Sequence, residues 1–141
     1  MWRVGVLLIG FLALITAPFG YCAASWAYVQ TQREAAGIQS LEWDTALADS
    51  AQTRAEEIAR LEALDHSGAA ATSAVFYGDR PYVCEILGTQ PTTTQDYAIG
   101  YGWVTSPAHR DCALGANYRR AAMGVTMGKD GWVYEAMWLT E

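Results

Sequence analysis

Between residues 45 and 65, apolar side chains recur at Leu47, Ala51, Ala55, Ile58, Leu61 and Leu64. Spacings of three and four put them on one stripe of a helix. A helix with a single apolar stripe must bury it against another layer, so this chain needs a sheet or further helices to close its core. Asp44 stands where an N-cap belongs, with a carboxylate able to accept from the first unpaired amides. Glu56 and Arg60 are four apart and can pair, with Glu57, on a solvated face.

Ahead of this helix the chain opens with Met1-Trp-Arg3, an unbroken apolar run from Val4 to Ala17, and Pro18. One positive charge, a short apolar run and then Cys22-Ala-Ala24 fit a secretory leader of residues 1–24, cleaved after Ala24. The run is short of the roughly 20 residues that span a bilayer comfortably. The other reading is an uncleaved anchor of residues 4–21, with Trp26 and Tyr28 at the membrane interface. A lipid on Cys22 is disfavoured by the bulky Tyr21 before it. The net charge is −6 at pH 7, and it becomes about −7 when Arg3 leaves with the leader. That balance argues against nucleic acid or an anionic membrane surface as partner, since both select basic patches.

Cys84 and Cys112 remain beyond the leader. In an oxidising compartment such a pair invites a disulfide, worth roughly 3 kcal/mol for the loop it closes. The bland alternative is two buried thiols.

Between leader and stripe, Tyr28 to Ala36 reads as a helix ended by Gly37. After the stripe, Asp65-His66-Ser67-Gly68 closes the long helix, with His66 partly buried toward the apolar side. A loop follows, with a turn at Gly78-Asp-Arg-Pro81. Tyr82 to Leu87 is an apolar extended run ended by Gly88, broken only by Glu85. An acid there must face out or meet a partner such as histidine. Gln95 to Val104 predicts a short helix with Tyr97, Tyr101 and Trp103 in the core. Ser106-Pro107 then starts another. Ser106 would cap it, and His109 would lie in its first turn, where the positive end of the helix disfavours the imidazolium. Arg119-Arg120 reads as a surface pair. Two strands, Ala121–Met127 and Trp132–Leu139, flank the hairpin turn Gly128-Lys-Asp-Gly131. Helices first and a hairpin last suggest an α+β domain or a layered α-β-α one.

The ordered set of Arg33 and Gly37, Leu41-x-Trp-Asp44-x-x-Leu47-Ala48, His66-Ser67, Glu85, Trp103-x-x-Ser-Pro-x-His-Arg110 and Gly124-Val125 resembles the superfamily of cysteine-rich secretory, antigen 5 and pathogenesis-related proteins. The likeness covers about residues 28–139, and the domain is placed at 28–141. It implies an α+β fold, a three-layer α-β-α sandwich, and a cleft where His66, Glu85 and His109 meet. The family's Gly-Glu-Asn is here Cys84-Glu85-Ile86, and Ser106 stands near where eukaryotic members carry a second cleft glutamate.

Two imidazoles and a carboxylate are the ligand set of an open zinc site and could activate water. The separations of 19 and 24 residues are permissive only. Without metal, Glu85 would orient one histidine as a general base, or the three would form a structural polar network. Two functions follow. One is an exported binding module, a monomer, whose cleft holds a small ligand or a divalent cation such as zinc, an association implied by the resemblance. The other is a metal-assisted hydrolase acting on peptides or cell-envelope material. Localisation is read as secreted or periplasmic, or membrane-anchored if the leader stays.

Overall fold

The computed structural model describes residues 4–69 and 83–141. The turn expected at Gly78–Pro81 lies outside them. Helix α1 runs over Val4–Ala35, strand β1 over Glu42–Trp43, helix α2 over Thr45–Leu61 and strand β2 over Val83–Pro91. Helices α3 (Ala98–Thr105) and α4 (Pro107–Ala113) follow, then strands β3 (Arg120–Met127) and β4 (Trp132–Thr140).

The strands form one sheet in the order β1-β3-β4-β2. β4 is central and antiparallel to both β2 and β3, while the two-residue β1 runs parallel to β3. Alternation along β4 sorts the core. Val133, Met137 and Leu139 join Val29, Ile99, Trp103 and Ala113 on the face covered by α1, α3 and α4. Tyr134, Ala136 and Trp138 face α2, against Leu47, Ala51, Ala55 and Ile58. The α+β sandwich expected from the sequence is therefore present, with α2 the helix that forms one outer layer among the described residues.

Local chemistry accounts for the element ends. Asp44 is the N-cap of α2, accepting from the Ala46 amide at 2.9 Å. α1 stops where Gly37 adopts φ 69°. Ile38 N then donates to Arg33 O at 2.8 Å and Gly37 N to Glu34 O at 3.0 Å, the paired bonds of a Schellman ending. α1 passes without a break through the boundary expected at Ala24, and Tyr21 and Cys22 pack on the core. Among the described residues no helix is long and apolar enough to cross a membrane.

Three glutamines stand in for missing backbone partners. Gln30 clamps both the N–H and the C=O of Leu41, at 2.9 and 2.7 Å. Gln52 does the same for Val125, at 3.0 and 3.1 Å, where β1 is too short to pair with β3. Gln90 accepts from the Ile99 amide and donates to Gln95 O.

Several expectations need correction. α2 ends at Leu61 rather than near 65, because Glu62 turns left-handed at φ 50°. Gly88 does not end β2; it lies mid-strand where a β-carbon would collide with Ile99. Trp103 is buried, but Tyr97 and Tyr101 are exposed. Tyr97 stacks on Tyr28 and Tyr101 meets it edge-on, and the two line an open hollow of about 450 Å³ with Thr93, Thr94 and Gln95. Glu56 accepts from Gln52 at 3.0 Å. Arg120 pairs with Asp44 at 3.6 Å and reaches the Glu141 carbonyl.

Arg33 ties α1 to the other half of the chain. It is fully buried and donates to the carbonyls of Gln39, Ala113, Gly115 and Tyr118 at 2.8–3.1 Å. Burial lowers its pKa. A compact ammonium cannot reach four such diverging acceptors. Arg33→Lys is expected to lower unfolding stability by roughly 3 kcal/mol, since buried carbonyls lose charged donors. Urea denaturation with an unchanged midpoint would refute this assignment.

Candidate functional site: a pinned carboxylate and two histidines

Glu85 sits on β2, on the side of the sheet that faces α2, with its side chain 7% exposed. Its neighbour Cys84 points the other way and is bonded to Cys112 on α4, with Cα atoms 6.1 Å apart. The expected disulfide is therefore present. It holds α4, and with it His109, against the edge strand.

Four hydrogen bonds converge on Glu85. Arg54 Nε donates to Oε2 at 2.8 Å and Nη2 to Oε1 at 3.2 Å. Trp138 Nε1 donates to Oε2 at 2.8 Å. His66 Nδ1 lies 2.8 Å from Oε1. A carboxylate has about four lone-pair positions, so all are engaged. Because a carboxylate only accepts, the His66 proton belongs on Nδ1, which leaves Nε2 with the lone pair in the neutral ring.

Arg54 has no exposed side-chain surface. It also donates through Nη1 to Glu57 and through Nη2 to the Asp65 carbonyl. Burial opposes its charge, but the bonds and charges of Glu85 and Glu57 outweigh burial and raise its pKa. Through the Asp65 contact Arg54 also fixes the backbone just before His66. Asp65 in turn accepts from the Ser67 amide and hydroxyl, which hold its carboxyl below the usual range.

His66 is more exposed than expected, with 56% of its side chain open. The early end of α2 places it on the loop instead of the helix. His109 lies on α4, and its Nδ1 is 3.1 Å from Ser106 Oγ. Ser106 is at the N-cap position, but its hydroxyl makes no capping bond to a backbone amide. The His109 pKa is lowered, first by burial and then by the charge of His66. The expected direction holds, with burial rather than the helix end as the main cause.

A cavity of about 290 Å³ lies along the β2 edge, lined among others by Leu64, Leu87, Trp103, Ser106 and His109. Among the described residues no three His, Cys, Asp or Glu side chains are grouped so as to hold a metal ion. His66 and Glu85 touch, and His109 interacts with His66 through charge alone.

Sequence reasoning missed Arg54 and Trp138. Arg54 carried a signal: it is three residues after Ala51 and four before Ile58, which puts a cation on the apolar stripe. Losing one member of a buried pair costs about 3–5 kcal/mol, because the other charge stays buried alone. Glu85→Gln is expected to fall in that range, whereas Glu57→Gln, at a partly exposed partner, costs under about 1 kcal/mol. Equal thermal shifts for the two variants would contradict this ranking. The disulfide closes 28 residues and is expected to contribute about 3 kcal/mol. Coincident unfolding midpoints with and without reductant would show that it does not.

No curated protein sequence matches the chain. Among solved structures, an extracellular protein containing an SCP domain from Bacillus anthracis superposes with TM-score 0.72 at 16% identity, covering 91% of this chain and 43% of that one. An outer surface protein from Borrelia burgdorferi gives 0.71 at 13% identity, covering 82% and 88%. A cysteine-rich secretory protein from Staphylococcus aureus gives 0.68 at 14%, covering 88% and 39%. This chain thus spans about two fifths of two of these neighbours, and at such identities the likeness concerns the fold. A family model of the cysteine-rich secretory protein family, CAP, matches residues 26–140, and the chain belongs to that family.

Proposed function

We propose that this chain is an exported CAP-domain protein, cleaved after Ala24, that acts outside the cytoplasm as a binding module. Its cleft on the β2 edge would take a small ligand or a divalent cation such as zinc. The observation that carries this reading is the His66–Glu85 contact at 2.8 Å. A carboxylate committed to four donors fixes the orientation of the imidazole, the arrangement that supports metal-binding histidines. His109 has its Nδ1 3.1 Å from the Ser106 hydroxyl; with that hydroxyl accepting, its Nε2 would carry the lone pair for a ligand, as His66 Nε2 does. Glu85 serves here as an orienting group, and water or the ligand itself would complete the coordination.

The binding reading is favoured over metal-assisted hydrolysis of peptides or cell-envelope material. A hydrolytic zinc needs three protein ligands and an open position, and the described residues supply no such trio.

The test is calorimetric titration of the purified protein with zinc. His66→Ala and His109→Ala are each expected to weaken binding at least tenfold. His66→Ala should leave stability within about 1 kcal/mol, because the ring is largely exposed. Binding should fade as pH drops through the imidazole range, since protonation removes the lone pair. His109, whose pKa burial lowers, should keep its lone pair to lower pH than an ordinary histidine. Unchanged affinity in both variants would move the site elsewhere.

A further inference from the structure

Among the described residues, buried side-chain oxygens without a hydrogen-bond partner belong to Ser25, Ser50 and Glu135. Two of these residues face each other. Glu135 lies on β4 and is fully buried on the side covered by α1. Burial pushes its carboxyl up to about 8, and the Ser25 hydroxyl on α1 opposes that rise. The neighbouring strands offer nothing ionisable, because Val125 of β3 and Gly88 of β2 flank it in register. From α1 the ionisable group that acts on it is the Cys22 thiol, which burial, and then Glu135 itself, push up to about 12. α3 contributes Gly100, packed so closely on Ser25 that a β-carbon would lie 2.9 Å from its Cα. Among the described residues of the uncut chain this acid therefore has no cation beside it.

Such a group works against the fold as pH rises. The folded chain holds the proton up to about 8 and the unfolded chain releases it near 4.5. Between these values the folding equilibrium constant falls by up to tenfold per pH unit. An acid buried at that cost invites a partner that the described residues of the uncut chain do not present.

The leader supplies one. Cys22-Ala-Ala24 meets the small-x-small pattern, and the next residue is Ser25. Hydrolysis of the Ala24–Ser25 amide by a leader peptidase consumes one water. The acyl carbon takes the hydroxyl and leaves as the Ala24 carboxylate. The nitrogen takes the hydrogen and, at neutral pH, a further proton, giving an α-ammonium on Ser25. We propose that this new ammonium settles on the Glu135 carboxylate, so that removal of the leader completes the core with a buried ion pair. The inference rests on the export reading above. The cut also makes Ser25 the first residue of α1, where the unpaired amides of the first turn favour a nearby anion. The same cut removes the Tyr21 hydroxyl bond to Thr92 O and the packing of Cys22, losses that the ion pair offsets.

The experiment starts from the whole chain, expressed with its own leader in an exporting bacterial host. Mass spectrometry of the exported protein should find Ser25 at the N-terminus. An intact leader or a different start would overturn both the cleavage reading and the ion pair. On protein that begins at Ser25, the rate of α-amine acetylation is then followed against pH. The amine should titrate about one unit above the ordinary value near 8, reacting roughly tenfold more slowly at about pH 7 than in urea-unfolded protein. Glu135→Gln should restore ordinary reactivity in the folded state. If that variant does not fold, the native and unfolded wild-type rates decide alone. An ordinary α-amine pKa in native protein starting at Ser25 would overturn the ion pair and leave the export reading standing.

Discussion

The contact between Arg54 and Glu85 is the constraint on which the rest of the site depends. Neither charge could be buried alone, and together they still need further hydrogen bonds to offset desolvation. Trp138, Glu57, His66 and the Asp65 carbonyl supply those bonds. The result links the outer helix α2, edge strand β2, central strand β4 and the loop that carries His66. The position of His66 is thus a by-product of neutralising a buried cation. This explains how an exposed histidine on a loop is held in one place: its ring nitrogen and its preceding backbone answer to the same arginine.

The family resemblance and the hydrophobic pattern made the layers legible. The stripe of α2 from Leu47 to Ile58, the terminal hairpin and the Asp44 cap followed from periodicity and side-chain chemistry and are where they were expected, whereas Leu61 and Leu64, expected on the stripe, are exposed. The ends of elements were less legible because tertiary contacts decide them. Gly88 looks like punctuation, yet Ile99 needs its missing side chain. Glu62 has no residue-type signal for a left-handed turn, so α2 reads too long. The glutamine clamps were invisible, since Gln30, Gln52 and Gln90 match no local pattern and act on backbone far away or out of register.

The site shows the same division. His66, Glu85, His109 and the two cysteines could be picked from the chain, but not the roles of their atoms. Glu85 was noticed as a lone acid in an apolar strand. Glu135 is the same kind of residue, in an apolar run that faces the other layer, and it passed unnoticed because no histidine or family motif drew attention to it. A charged residue whose neighbours at strand or helix spacing are all apolar is a signal in its own right. Applied evenly, that rule picks out Arg54, Glu85 and Glu135 together.

The reach of Arg33 bears on the order in which this chain can acquire its structure. Its bonds to Ala113, Gly115 and Tyr118 join positions 80 to 85 residues apart. α2 likewise finds its apolar partners on β3 and β4 at the far end of the chain. While the polymer emerges from the ribosome, the N-terminal helices therefore have nothing to bury their arginines in, and loop closure must await the last strands. A chain arranged in this way remains loose until synthesis is nearly finished, and its two ends have to meet before either half can close its core.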